Sequence, residues 1–264
     1  MARLTYCQAM AKHLSKLDGW IEQPDWPRVA CPSCGDGTLA PGTLVPACDV
    51  RSARLEAKRQ RGGRPEELTG TFHGQLLCDN SSCGQIVSVA GDWQLIVNES
   101  GNPELGSFVE NYRVRYANPP LRLLETPPAT PATVRQGIES ASSVLWASPG
   151  SAANRLRYAV EELLTAKKVR QNTMTRKKKR RRLSTGERLG LLEQSHHDVA
   201  KMLEAVKWIG NDGSHTEGLT ASQVMEGAEI LEMALKALYD RKDAELQKKI
   251  RAINRAKRLP RKQG

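Results

Sequence analysis

The sequence predicts an α+β protein, with a β-rich, cysteine-bearing amino-terminal half followed by a four-helix bundle and a basic helical tail. Three observations carry this. Cys31-Pro-Ser-Cys34-Gly and Cys78-Asp-Asn-Ser-Ser-Cys83-Gly are two cysteine pairs, each followed by glycine. From residue 132 onward apolar residues recur at steps of three and four, the period of a helix with one buried face. Between the halves, Pro127, Pro128 and Pro131 make a stiff, donor-poor segment. The expected division is 1–125, a linker at 126–131, a bundle at 132–240 and a tail at 241–264.

Taken in order, residues 1–20 suit a short helix with Ala9, Met10, Leu14 and Leu17 on one face, ended by Pro24 and Pro27. Cys7 is isolated in it. The first cysteine pair has the form of a zinc knuckle, a tight turn that lets two thiolates meet one ion. The second pair lies between strand-like runs at 71–77 and 85–90, so it sits on a hairpin. Together they predict a zinc-ribbon-like domain in which Cys31, Cys34, Cys78 and Cys83 bind a structural Zn2+. Cys48 and His73 are spare candidates read as bystanders. The insertion at 49–66 carries Arg51, Arg54, Lys58, Arg59 and Arg61 in a helix-compatible run stopped by Gly62 and Gly63. Further strands are expected at 93–97 and 112–116, the latter stopped by Pro119 and Pro120.

Four amphipathic helices follow. The first has Val134, Ile138, Ala141 and Leu145 on its buried face. The second starts at Ser148 and Pro149 and buries Ala153, Leu156, Val160 and Leu163. The third opens at the capping box Ser184-Thr-Gly-Glu187 and runs through Leu189, Leu192, His196, Val199, Leu203 and Val206. It is expected to stop at Gly210-Asn211, where either residue suits a left-handed helix end. The fourth opens at Thr220-Ala-Ser-Gln223 and buries Val224, Ala228, Leu231, Leu235 and Leu238. His196 falls on the apolar stripe and reads as a core histidine, whereas His197 faces solvent.

Composition bounds the rest. With 264 residues, 39% of them hydrophobic, and no run of 18 apolar residues, no membrane span or membrane partner is expected. The first residues lack the apolar core of a signal peptide, so a cytoplasmic location is expected, where six cysteines favour metal over disulfides. The net charge of +11 is segmental. Residues 167–182 hold ten Lys/Arg and no acid, and 241–264 hold ten against Asp243 and Glu245. These stretches carry +18, leaving the rest of the chain at −7. Such blocks suit phosphate backbones. The candidate nucleic-acid contacts are Arg176, Lys177, Lys178, Lys179, Arg180, Arg181, Arg182, Lys257 and Arg258.

The segments Ala152 to Leu164, Leu183 to Leu192 and Ala205-Val-Lys-Trp-Ile-Gly-Asn-Asp-Gly-Ser-His215, with the apolar ending Ile230 to Tyr239, resemble the bacterial helical domain of unknown function 4145. Glu161, Gly210, Asn211 and His215 match its most recognisable positions. That family is similar to the HEPN superfamily of helical bundles, many of which are dimeric ribonucleases using Arg-x4-6-His. The resemblance also implies a setting beside restriction and anti-phage genes. This chain lacks the ribonuclease pair, having no Arg between Arg188 and Arg241, and Lys207 lies too far upstream of His215 to satisfy the spacing.

The expected function is therefore a non-catalytic, zinc-containing nucleic-acid-associated module, an accessory of a defence, restriction or mobile-element system acting on DNA or RNA. Two alternatives stand beside it. One is an RNA-cleaving effector with His215 as acid/base, Asn211 beside it and Lys207 or the basic loop stabilising charge. The other is a scaffold that dimerises through the bundle and captures a protein partner through the ribbon.

Overall fold

The computed structural model describes residues 14–59, 68–99, 107–215, 218–240 and 250–255, and it is an α+β molecule. Of the expected first helix, Leu14 and Leu17 are described and buried, at a short helical turn, whereas Ala9, Met10 and Cys7 lie outside the described residues.

The amino-terminal half is one antiparallel six-stranded sheet. Its strands are β1 (Ile21–Glu22), β2 (Val29–Ala30), β3 (Thr38–Cys48), β4 (Thr69–Cys78), β5 (Ile86–Val97) and β6 (Phe108–Asn118), in the order β1-β6-β5-β4-β3-β2. Helix α1 (Val50–Arg59) leaves the end of β3. It begins where Asp49 Oδ1 accepts the Ser52 amide at 2.7 Å, the bond of an N-cap. Alternation places Leu39, Phe72, Leu76, Val87, Val89, Trp93, Tyr112 and Val114 inside. Trp26, Phe72 and Tyr112 meet edge to face, with ring centroids 4.9 to 6.3 Å apart. The two runs read from sequence at 85–90 and 93–97 are one strand, because the irregularity at Ala90/Gly91 bends β5 without ending its ladder to β6. This sheet is larger than the knuckle-and-hairpin device expected.

The register decides where the cysteines go. Ala30 pairs with Thr38 and Leu77 pairs with Ile86, so the β2–β3 and β4–β5 connections are turns. Leu39 pairs with Cys78, so the two turns lie side by side at one end of the sheet.

The carboxy-terminal half contains α2 (Ala132–Val144), α3 (Pro149–Ala166), α4 (Thr185–Glu193), α5 (His197–His215) and α6 (Ala221–Tyr239). Both expected capping boxes are formed, at Ser184 with Glu187 and at Thr220 with Gln223. Ser148 precedes α3 as expected, but its hydroxyl donates to Ser151 Oγ rather than receiving an amide. The expected third helix is two, α4 and α5. The chain turns at Gln194-Ser195-His196, where the amides of Ser195 and His196 both donate to Leu192 O. His196 is consequently exposed, its Nδ1 2.9 Å from Ser195 Oγ, and is not the core histidine that the stripe implied. Leu189, Leu192, Val199, Leu203 and Val206 are buried as read.

The segment after β6 binds the halves together. Leu121, Leu123 and Leu124 are buried in a single apolar core that runs through both. The Glu125 amide donates to Glu232 Oε2 of α6, and the Ser222 amide donates to Asp18 Oδ2. Arg135 Nη1 donates to Thr130 O, which fastens the proline-rich segment to α2. Residues 250–255 are helical, and Lys257 and Arg258 lie outside the described residues. Among the described residues no helix is long and apolar enough to cross a membrane.

Candidate metal centre and basic hairpin

The sulfurs of Cys31, Cys34, Cys78 and Cys83 all lie within 4.8 Å of one another. Cys31 and Cys83 are 3.8 Å apart, as are Cys34 and Cys78, so the pairs interlock across the two turns. Cys31 is fully buried and the other three are half-buried. The frame around them is made of backbone and short polar side chains. Cys31 N donates to Gly37 O at 2.9 Å, and Cys78 N to Gln85 O at 2.9 Å. Asp79 accepts both the amide and the hydroxyl of Thr38, at 2.7 and 2.6 Å. Ser33 Oγ donates to Gln85 Oε1, and Arg122 donates to Pro32 O, which anchors the first turn to the segment after β6.

These bonds prepare the thiols unequally. The Gly37 amide donates to Cys34 Sγ at 3.3 Å and holds that thiol down to about 6. Burial pushes the Cys78 thiol up to about 12. Four thiols packed this closely form a donor set compatible with one metal ion, which would displace their protons. Cys48, at the end of β3, and His73, exposed on β4, are not part of the cluster.

The basic stretch at 167–182, read from sequence as a loop, contains a β-hairpin of β7 (Asn172–Met174) and β8 (Arg180–Arg182). Its turn is closed by Thr175 N donating to Lys179 O and Lys178 N to Thr175 O, with Lys178 at φ 56°. The base is fastened by acids. Arg181 makes a two-pronged contact with Glu187, at 2.7 and 3.0 Å, and holds that carboxyl down to about 2. Arg182 lies 3.9 Å from Glu161. Arg176, Lys177, Lys178, Lys179 and Arg180 are exposed, and none has an ion-pair partner among the described residues.

Glu161 is a junction between α3, α4 and the hairpin. It accepts from Thr185 Oγ1 at 2.8 Å and sits 3.6 Å from Arg157 as well as 3.9 Å from Arg182. Beneath it is Arg188, a residue the sequence reading passed over. Arg188 is 3% exposed and donates to Glu161 O at 3.3 Å, to Thr165 Oγ1 at 3.0 Å and to Val169 O at 3.4 Å. Its position four residues before Leu192 places it on the buried stripe, which was the available signal.

The Gly210-Asn211 stretch does not end a helix. It lies inside α5, which continues to His215. The glycines are there for the neighbouring helix: a Cβ on Gly210 would come within 2.6 Å of Arg157 Cβ, and one on Gly213 within 2.7 Å of Gly150 O. Helices α3 and α5 therefore cross nearly backbone to backbone. We expect Gly213→Ala to cost about 1–3 kcal/mol, since the opposing atom is backbone and cannot turn aside. Gly190→Ala, into open space on α4, should be neutral or stabilising. Chemical denaturation of both variants checks this. Lys207 has its Nζ 3.8 Å from the Trp208 ring centroid and its side chain 12% exposed, so it is packed rather than presented. Asn211 is half-buried, and the side chain of His215 lies outside the described residues.

Two family models match the chain. Residues 139–259 match Domain of unknown function (DUF4145), the family whose resemblance was read in Glu161 and the Gly210-Asn211 stretch. Residues 21–119, the cysteine-bearing sheet, match Domain of unknown function (DUF8608). Neither a curated protein nor a solved structure matches the chain.

Proposed function

We propose that the chain is a zinc-containing, non-catalytic nucleic-acid-binding module. The observation that carries this reading is the hairpin tip, where Arg176, Lys177, Lys178, Lys179 and Arg180 stand exposed without carboxylate partners among the described residues. Cations already matched by acids gain little from phosphate, whereas unmatched ones release the counterions of a nucleic acid. Arg181 and Arg182 serve a different purpose, holding the hairpin base against Glu187 and Glu161.

We read the metal as zinc, which a tetrahedral set of four thiolates suits as it also suits iron. A tetrahedral site with Zn–S near ~2.3 Å has S···S edges of about 3.8 Å. Cys31–Cys83 and Cys34–Cys78 have this separation. Four protein ligands close the coordination sphere, so the ion is structural, with no position left for a reacting water. We read the helical half as HEPN-like and attach to the module the setting implied by the family resemblance, an accessory of bacterial defence, restriction or a mobile element.

The test is a fluorescence-anisotropy titration of the zinc-loaded full chain with labelled RNA and DNA at about 50 and 200 mM salt. Affinity should fall linearly in log–log form as salt rises. Binding indifferent to salt, or none at the lower salt, overturns the reading. Cleavage of the RNA during the titration overturns its non-catalytic part.

A further inference from the structure

We propose that the groove along α3, next to the hairpin, holds a single strand of nucleic acid, with Tyr158 as the platform on which a base stacks. This rests on the nucleic-acid reading above and adds a path and a strandedness to it. The groove lies between α2 and α3, has a volume of about 660 Å3, and is lined by Gln136, Ser140, Asn154, Arg155, Tyr158 and Glu161 among others. A second recess of about 420 Å3, lined by Arg181, Arg182, Thr185 and Arg188, also reaches Glu161. Glu161 lines both, and the proposed strand passes across it from the base of the hairpin onto the face of α3.

The lining has the two components that sequence-tolerant strand binding requires, positive charge for the backbone and an exposed ring for the bases. Arg155 is exposed, donates to Ser140 Oγ at 2.5 Å, and has no carboxylate partner among the described residues. Arg157, held by Asn154 Oδ1 at 3.2 and 3.0 Å and paired with Glu161 at 3.6 Å, shapes the wall of the groove and leaves Arg155 as its unmatched cation. The one carboxylate at the junction, Glu161, is already met by Arg157, Arg182 and the Thr185 hydroxyl, so it does not set a repulsive barrier in the path. Tyr158 is 54% exposed on α3, and the neighbouring Glu162 carboxylate pushes its hydroxyl pKa up. A duplex keeps its base faces stacked on one another and offers none to such a ring, whereas an unpaired strand does.

The experiment uses the zinc-loaded full chain and labelled oligouridylate and oligodeoxythymidylate of about 12 nucleotides, with a duplex of equal length. Wild type should bind the single strands more tightly than the duplex. Tyr158→Ala should weaken single-strand binding about tenfold while leaving duplex binding and the melting temperature unchanged, and Tyr158→Phe should bind as wild type. Tyr158-dependent binding of either oligonucleotide supports the inference. A Tyr158→Ala variant that binds single strands as wild type does, or a wild type that holds the duplex equally well, overturns it and leaves the hairpin reading standing. A wild type that binds no probe at low salt overturns both.

Discussion

Stripping the proposed zinc, by chelation or by Cys34→Ser, will open the cysteine end of the sheet while α3 and α6 keep their structure. Structural zinc sites in zinc-finger peptides contribute about 10–16 kcal/mol in apparent terms, as much as the whole stability of an ordinary domain. The two turns have little else to replace it. Without an ion, four sulfurs within 4.8 Å are left to hold protons, and partial burial lets Cys78 retain its own up to about 12. The bonds between Thr38 and Asp79 remain, but Asp79 is solvent-facing and its partners can exchange to water at small cost. The helices have their own packing, in which Leu156, Leu163, Leu164, Leu203, Leu231 and Leu235 are at most 1% exposed.

Hydrogen exchange read by peptide gives the measurement. Amides of β4 and β5 near Cys78 and Cys83 should lose protection on chelation, and those of α3 and α6 should keep it. Zinc content should be one per chain in wild type and in Cys48→Ser, and should fall in Cys34→Ser. Acid should act like chelation. Metal-bound thiolates have lower pKa values than free thiols, so the stability that the proposed ion contributes is present at high pH and lost as pH falls and protons compete for sulfur. Unchanged protection in β4 and β5 after complete metal removal would show that the thiols bear no stabilising ion.

What the sequence disclosed, and what it hid, follows from which interactions are local. The cysteine turns were legible because ligand spacing and the following glycines are written in neighbouring residues. So were the capping boxes at Ser184 and Thr220, each contained in four positions. The break at Gln194-Ser195-His196 was hidden because Leu192 and Val199 keep helical spacing across it, and both are buried on either side of the turn. Gly210 misled in the opposite direction. Glycine after an apolar run is a common helix stop, but here its missing Cβ is required by Arg157 and Ala153 of α3, distant in sequence. The hairpin at 172–182 was hidden by its composition, since three-residue strands of Asn172–Met174 and Arg180–Arg182 offer no apolar alternation to read. The Glu161 position was visible through family resemblance, yet its meaning came only from the three elements that converge on it.

Neutralising the hairpin tip will remove most of the salt sensitivity of the proposed nucleic-acid binding without unfolding the bundle. The variant is Arg176→Gln, Lys177→Gln, Lys178→Asn, Lys179→Gln and Arg180→Gln together, with asparagine at 178 because the φ there is 56°. The turn is closed by backbone bonds between Thr175, Lys178 and Lys179, which these changes leave in place. Arg181 and Arg182 stay, since removing them would free Glu187 and Glu161 and loosen the hairpin base. Each phosphate contact contributes about 0.7 to the log–log salt slope on a single strand, so five contacts account for roughly 3.5. Between 50 and 200 mM salt, a fourfold change, that slope corresponds to about a hundredfold in affinity. The neutralised variant should therefore bind weakly at 50 mM and lose little more at 200 mM, with a melting temperature near that of wild type. A variant that keeps the wild-type slope would place the phosphate contacts elsewhere, and the tail at 241–264, with its ten Lys/Arg, would be the next segment to neutralise.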